Sequence, residues 1–375
     1  MSDLENINLL HSFAMSIEPI SGSRTYLLNL VKAQEYYANV NILCRYDKNN
    51  SSTTANIIPI RMYKFDSWQW LNKNEAAARR AIALIKNTTS SFLKENKIDI
   101  VNIHHITYSL NSAYIAKHEF NIPTVLTSHG TGIYQNKEDT VLMGYLRDNV
   151  DKVIAVSNFL KRYIVQNSEV KNKNIVTIYP GVDCTIFNRK NYSRDLIKKY
   201  GNYILFFGRI EKEKGISMII EMAKRIPKEI KFLVIGKGKD MVDFTRQIKR
   251  NNLQNKIICM GYLDLLTLAK FVASSIAVIV PSEFNDPFPL VPLEAIVSGT
   301  PIIVSKNGGL RELPNLKGII KVNSDAEEFS DALTKLIDIE DSIRDELFKK
   351  ASSKYSWSSV AKQYLKLYSK ILARD

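Results

Sequence analysis

The sequence predicts an α/β fold built from two parallel sheets, each with helices on both faces. Three observations carry this. Short apolar runs rich in branched residues alternate with helical patterns along the chain. The alternation occurs as two series, separated near residues 178–188. A chain of 375 residues is long enough for two domains that each bury a core.

In the first series a strand precedes Ser21-Gly22-Ser23, and the helix RTYLLNLVKAQ follows. NVNILCR, DIVNIHH, PTVLTS and KVIAVS read as further strands. Helices are expected over Asn74 to Asn96 and Asn158 to Gln166. After the strand NIVTI, Tyr179-Pro180-Gly181 is a turn signal and marks the boundary. The charged stretch Arg189 to Gly201 reads as helical. The second series contains NYILFFGRI, IKFLVIGKG, KIICMGY, IAVIVPS and PIIVS, with helices over Ser217 to Arg225 and Asp240 to Asn251. Both series are Rossmann-like. The predicted domains are 1–182 and 183–355. The tail 356–375 is an amphipathic helix in which Val360, Tyr364, Leu365, Tyr368 and Leu372 share one face. No short-period repeat is present.

Composition narrows the function classes. With 45% hydrophobic and 24% charged residues the chain is of ordinary globular type. No apolar run reaches the roughly 18–20 residues that span a bilayer. MSDLENINLLHSF is acidic and lacks the basic start of a secretory signal. Cys44, Cys184 and Cys259 match no zinc spacing and suit a reducing cytoplasm. The net charge of +14 favours anionic partners: nucleotide diphosphates, anionic lipid or nucleic acid. That charge is spread over both halves and comes with no nucleic-acid motif, so nucleic acid is not the expected partner. There is no G-x-S-x-G or P-loop pattern.

Chemistry concentrates in two segments of the second series. In PSEFNDPFPLVPLEAIVSGTPIIVSKNGGLRE, Asp286 and Glu294 bracket an apolar, proline-broken loop. Glu294 is expected to start a helix that ends at Gly299 and leads through PIIVS to a Gly308-Gly309 turn. A helix start offers free N–H groups, and nearby carboxylates hold sugar hydroxyls, so the stretch reads as a nucleotide-sugar pocket. Earlier, Gly208-Arg209 ends a strand and Lys214-Gly215 opens a helix, a cradle suited to a diphosphate. Lys212 reads as part of a solvated charge run, and Glu283 as an acidic neighbour out of register with Asp286 and Glu294. In open α/β sheets ligands bind beyond the carboxyl ends of strands, so two such domains facing each other would place the site in the cleft between them.

These motifs resemble family 4 retaining glycosyltransferases, which have the GT-B fold. GRIEKEKG is similar to the family's G-R-x4-K-G, and Asp286 to Glu294 to its E-x7-E. KVIAVSNFLKRYI, VTIYPGVDCTIF, FLVIGKGKD and the Trp357 region follow in the family's order. The resemblance implies two Rossmann-like domains across a deep cleft, with the C-terminal helix crossing back to the N-terminal domain. It implies a donor such as a UDP- or GDP-sugar. Glu294 would hold the ribose, and Arg209 and Lys214 the diphosphate. Asp286 and the backbone of Phe288 and Leu290 would lie along the sugar. Gly22 sits where the family usually carries two adjacent glycines, and Asp286 where it carries a longer Glu. His129, before a glycine-containing loop, would reach the donor sugar; His104 and His105 end a strand at the cleft edge, one pointing inward and one towards the helices.

The implied reaction moves a hexosyl group to an acceptor hydroxyl on a lipid-linked, glycan or protein acceptor, with retention and without a metal or other cofactor, since no Asp-x-Asp motif is present. Two alternatives stand beside it: a non-catalytic GT-B partner subunit and a nucleotide-sugar epimerase. The expected location is cytoplasmic, with peripheral contact to the inner, anionic membrane face open through the basic surface, the aromatic stretch Arg61 to Leu71 and Arg79-Arg80; the same stretch reads alternatively as a platform that stacks on an acceptor sugar or as a packed loop.

Overall fold

The computed structural model describes residues 7–16, 22–45, 55–60, 74–106, 108–130, 133–134, 140–337 and 339–373. The chain divides into two compact units. One comprises Met1–Pro180 with Trp357–Asp375, the other Gly181–Ser356.

The first unit opens with β1 (Ile7–Ser16), α1 (Gly22–Gln34), β2 (Ala38–Arg45) and β3 (Asn56–Ile60). It continues with α2 (Glu75–Glu95), β4 (Ile100–His104), α3 (Leu110–Phe120) and β5 (Thr124–Ser128). Then come α4 (Thr140–Asn149), β6 (Lys152–Ala155), α5 (Asn158–Asn167) and β7 (Ile175–Thr177). The strands form a parallel sheet in the order β3-β2-β1-β4-β5-β6-β7. Every residue of β4 and β5 is buried, as expected of strands covered on both faces. Local chemistry sets the helix ends. Asn74 caps α2 by accepting from Ala77 N at 3.1 Å. Ala77, Ala81, Ile85, Thr89 and Leu93, each one turn apart, then form its buried stripe. Ser157 caps α5 in the same way.

The second unit contains α6 (Arg194–Tyr200), β8 (Tyr203–Phe207), α7 (Ile216–Arg225), β9 (Lys231–Ile235) and α8 (Met241–Arg250). These lead to β10 (Ile257–Gly261), α9 (Leu265–Ser274), β11 (Ala277–Val280) and α10 (Val291–Val297). The unit ends with β12 (Ile302–Ser305), β13 (Ile319–Val322), α11 (Ala326–Thr334) and α12 (Asp341–Tyr355). Its parallel sheet runs β10-β9-β8-β11-β12-β13. Phe206, Ile219, Phe232, Val234, Phe244, Ile279 and Phe329 are part of its core. In each unit the strand order reverses beside the first strand, between β1 and β4 and between β8 and β11. In open α/β sheets ligands bind at such switch points.

The last helix, α13 (Trp357–Leu372), belongs to the first unit and packs on α1. Val360, Tyr364, Leu365 and Tyr368 are buried, whereas Leu372, expected on the same face, is half-exposed near the helix end. The tyrosine hydroxyls are all partnered. Tyr364 meets Tyr26 at 2.8 Å, and Tyr368 accepts from Asn102 Nδ2 at 2.8 Å. Val182 N donates to Tyr355 O at 2.7 Å, so the two places where the chain changes unit lie side by side.

Candidate active site

The loops after β8, β11 and β12 interlock at the switch point of the second unit. Arg209, just past β8, has a side chain that is 60% exposed. Its Nη1 donates to Glu211 at 2.6 Å and its Nη2 to Glu213 at 3.3 Å. Lys214 is only 18% exposed. It donates to Asp286 Oδ2 at 2.6 Å and lies 4.8 Å from the centre of the Phe284 ring. The sequence places Lys214 at a helix start. Instead it ends a short 3-10 turn, Lys212–Lys214, and Gly215, with φ of 74°, caps the start of α7. A side chain at 215 would fall 1.8 Å from the Pro281 carbonyl oxygen, so glycine lets the β8 and β11 loops touch. Glu283 N donates to Glu213 O at 2.9 Å across the same seam, while the Glu283 side chain stays exposed.

The Asp286 loop is held from its other side. Gly309 N donates to Asp286 O at 2.8 Å, and Gly308 N to Asn285 Oδ1 at 2.9 Å. A Cβ on Gly309 would lie 2.0 Å from Pro287 O. Phe288 is buried beside this contact, and Leu290 caps α10. The expected helix start at Glu294 needs correction: α10 begins three residues earlier, at Val291. Pro292 in the first turn explains this, because its missing N–H and fixed φ suit a helix start. The Glu294 carboxylate receives no hydrogen bond from the described residues. Burial pushes its pKa up to about 7. A partly buried carboxyl without a donor holds its proton more readily, and hydroxyl or N–H groups that reach it favour its charged form.

In the first unit the structure gathers histidines that the sequence leaves apart. His129 follows β5, and its Nε2 lies 3.2 Å from His104 Nδ1. His104 Nε2 lies 3.0 Å from His11 Nδ1, and His11 Nε2 lies 2.8 Å from Gln34 Oε1. The expected split of His104 and His105 to opposite faces does not occur. β4 ends at His104, and His105 takes a φ of 74°, which breaks the alternation. The rings of His104 and His105 come within 5.5 and 5.4 Å of His129. The Tyr26 ring meets His129 edge-on at 4.8 Å. His11 and Gln34 carried no functional signal in the sequence; a histidine within an apolar strand run was the one available hint. His118 instead bonds Asn149 Oδ1 at 2.8 Å.

Helix α1 begins at Gly22, two residues before the expected RTYLL start, and a Cβ on Gly22 would meet nothing within 4 Å. Ser21, the aromatic stretch Arg61 to Leu71, and Thr131 and Gly132 of the loop after His129 lie outside the described residues. Arg79 pairs with Glu75 at 2.5 Å one turn away on an exposed helix face. Among the described residues, none of the helices is long and apolar enough to cross a membrane.

Comparison with known proteins gives concordant findings. Residues 188–354 match the family described as glycosyl transferases group 1, and residues 20–186 match glycosyltransferase family 4. An uncharacterised glycosyltransferase of Methanocaldococcus jannaschii is 26% identical over 349 residues, covering 87% of this chain and 86% of that protein. Among solved structures, sucrose-phosphate synthase from Thermosynechococcus elongatus superposes with a TM-score of 0.80 at 17% identity, covering 98% of this chain and 100% of that one. HepE of Anabaena, in complex with UDP and glucose, gives 0.76 at 18% identity, covering 97% and 99%.

Proposed function

The chain belongs to glycosyltransferase family 4 and has the GT-B fold, and on that premise we propose that it transfers a hexosyl group, with retention, from a nucleotide sugar to an acceptor hydroxyl. The observation that carries this reading is the coupling of Lys214 to Asp286 at the β8/β11 switch point, with the unpartnered Glu294 carboxylate eight positions beyond Asp286. In this reading Glu294 accepts hydrogen bonds from the ribose hydroxyls. Arg209 and Lys214 bind the diphosphate, each charged hydrogen bond contributing roughly 1.5–3 kcal/mol. As the glycosyl bond breaks, the same two cations stabilise the negative charge that builds on the leaving nucleotide. Asp286 and the backbone of Phe288 and Leu290 position the sugar. His129 is assigned to a sugar hydroxyl.

Without donor, both cations already contact carboxylates: Arg209 pairs with Glu211 and Glu213, and Lys214 with Asp286. The incoming diphosphate therefore exchanges one anionic partner for another, which keeps the cations oriented before binding. UDP-sugars are the first donors to test, since the similar HepE structure holds UDP, and GDP-sugars the second.

The deciding experiment is a donor-hydrolysis screen in the absence of acceptor, followed by proton NMR of the released or transferred sugar to read its anomeric configuration. Slow hydrolysis of one nucleotide class with retention is expected, and Arg209→Ala should lower turnover by at least about a hundredfold. Wild-type-like kinetics of that variant with the preferred donor would remove Arg209 from its assigned role. An inverted product would reject retention.

A further inference from the structure

We propose that Gln34, His11 and His104 form a buried hydrogen-bond relay that fixes His129 in its Nε2–H tautomer, leaving Nδ1 as a bare acceptor for a hydroxyl of the sugar substrate. The relay follows from donor and acceptor counting. With the Gln34 amide placed so that Oε1 faces His11 and the buried Nε2 has no partner among the described residues, Oε1 accepts and His11 Nε2, at 2.8 Å, carries the hydrogen. A neutral imidazole has one N–H, so His11 Nδ1 is a lone pair. His104 Nε2, at 3.0 Å, must then donate to it. That leaves His104 Nδ1 as the acceptor for His129 Nε2–H at 3.2 Å. One amide oxygen at the end of α1 thus sets the protonation of three rings in succession, on β1, β4 and the end of β5.

The surroundings keep the chain neutral. Gln34, His11 and His104 are fully buried. Burial holds His104 and His129 well below the usual imidazole range and His11 at about 4. A second hydrogen in either N···N gap would place two donors face to face, so the only position that can take one is His129 Nδ1. There the neighbouring groups oppose a cation: His105 stands beside His129, with Arg24 close to His105. No described residue bonds His129 Nδ1. A neutral acceptor nitrogen suits a donating hydroxyl and repels a phosphate oxygen. His129 is therefore selective for the sugar and not for the diphosphate, and Gln34, His11 and His104 act as positioning residues through it.

The role in substrate binding rests on the proposed transferase function; the tautomer does not. The test uses the full chain labelled with 15N-histidine and long-range proton–nitrogen NMR, with His129→Gln to assign the His129 signals. Wild type should show a protonated Nε2 and an unprotonated Nδ1 at His129. A protonated Nδ1 in the neutral ring overturns the proposal without any variant. Gln34→Glu, which keeps an acceptor in place, should preserve the pattern. Gln34→Leu should invert or mix it, and should raise KM for donor hydrolysis by about tenfold, with kcat changing less. Identical His129 spectra and kinetics in the two Gln34 variants would also overturn the relay. If wild type shows the expected tautomers but hydrolyses no nucleotide sugar, the transferase reading fails and the relay stands.

Discussion

Glu294 is a carboxyl group whose environment makes a pH-dependent demand on the protein. Its pKa of about 7 in the folded state exceeds the ordinary value of 4.5. The folded state therefore holds the proton more tightly than the unfolded chain does. Stability lost to this group grows as pH rises from about 4.5 to about 7 and is constant above that. The difference amounts to about 3 kcal/mol at most. Comparing urea unfolding of wild type and Glu294→Gln at pH 5 and pH 8 isolates it: the variant should gain relative to wild type at the higher pH. An unchanged gap between the two proteins would show that Glu294 is not desolvated as described. For the proposed binding of the donor ribose the sign is opposite, because a carboxylate accepts from hydroxyls better than a neutral acid. Donor KM should therefore rise as pH falls below about 7, and this dependence should be absent in Glu294→Gln. At Arg209, the exposed contact with Glu213 would compete with the phosphate of the proposed donor. Glu213→Gln should lower donor KM by no more than about fivefold, and the effect should shrink in high salt; a raised KM would assign Glu213 a positive role in binding.

At the scale of elements, the candidate site depends on close backbone contacts between loops. Gly215→Ala places a Cβ 1.8 Å from Pro281 O at a residue with φ of 74°. It should destabilise the second unit by at least about 2 kcal/mol. Gly22→Ala meets nothing within 4 Å and should change stability by less than about 0.5 kcal/mol. Chemical denaturation of both variants gives the contrast, and equal effects would discredit the loop-contact account. The motif chemistry of this region was legible because Arg209, Lys214 and Glu294 are close in sequence to the turns that position them. The helix boundaries were less so. Pro292 was the available signal for the true start of α10, whereas reading EAIVSG as the helix placed that start at Glu294. The 3-10 turn at Lys212–Lys214 has no periodic pattern long enough to show in a sequence.

At the scale of the whole molecule, the first unit is incomplete without the last helix of the chain. Removing residues 357–375 would uncover Tyr26 and leave the buried Asn102 amide without Tyr368. The truncated chain should lose the cooperative unfolding of that unit, whereas residues 181–356 alone should give a dispersed NMR spectrum; a truncated chain that melts like the intact one would show that α13 is dispensable. The sequence by itself determined the α/β class, the two series of strands, the amphipathic tail and the family, because these are written in local periodicity and short motifs. Tertiary structure alone decided the Lys214–Asp286 pair, the loop contacts at Gly215 and Gly309, and the line from Gln34 through His11 and His104 to His129. Those partners lie up to 93 positions apart in the chain, on strands and on the loops and helix beside them that become neighbours only when the parallel sheets form. No local pattern encodes such a meeting; the crossover connections of the sheet create it.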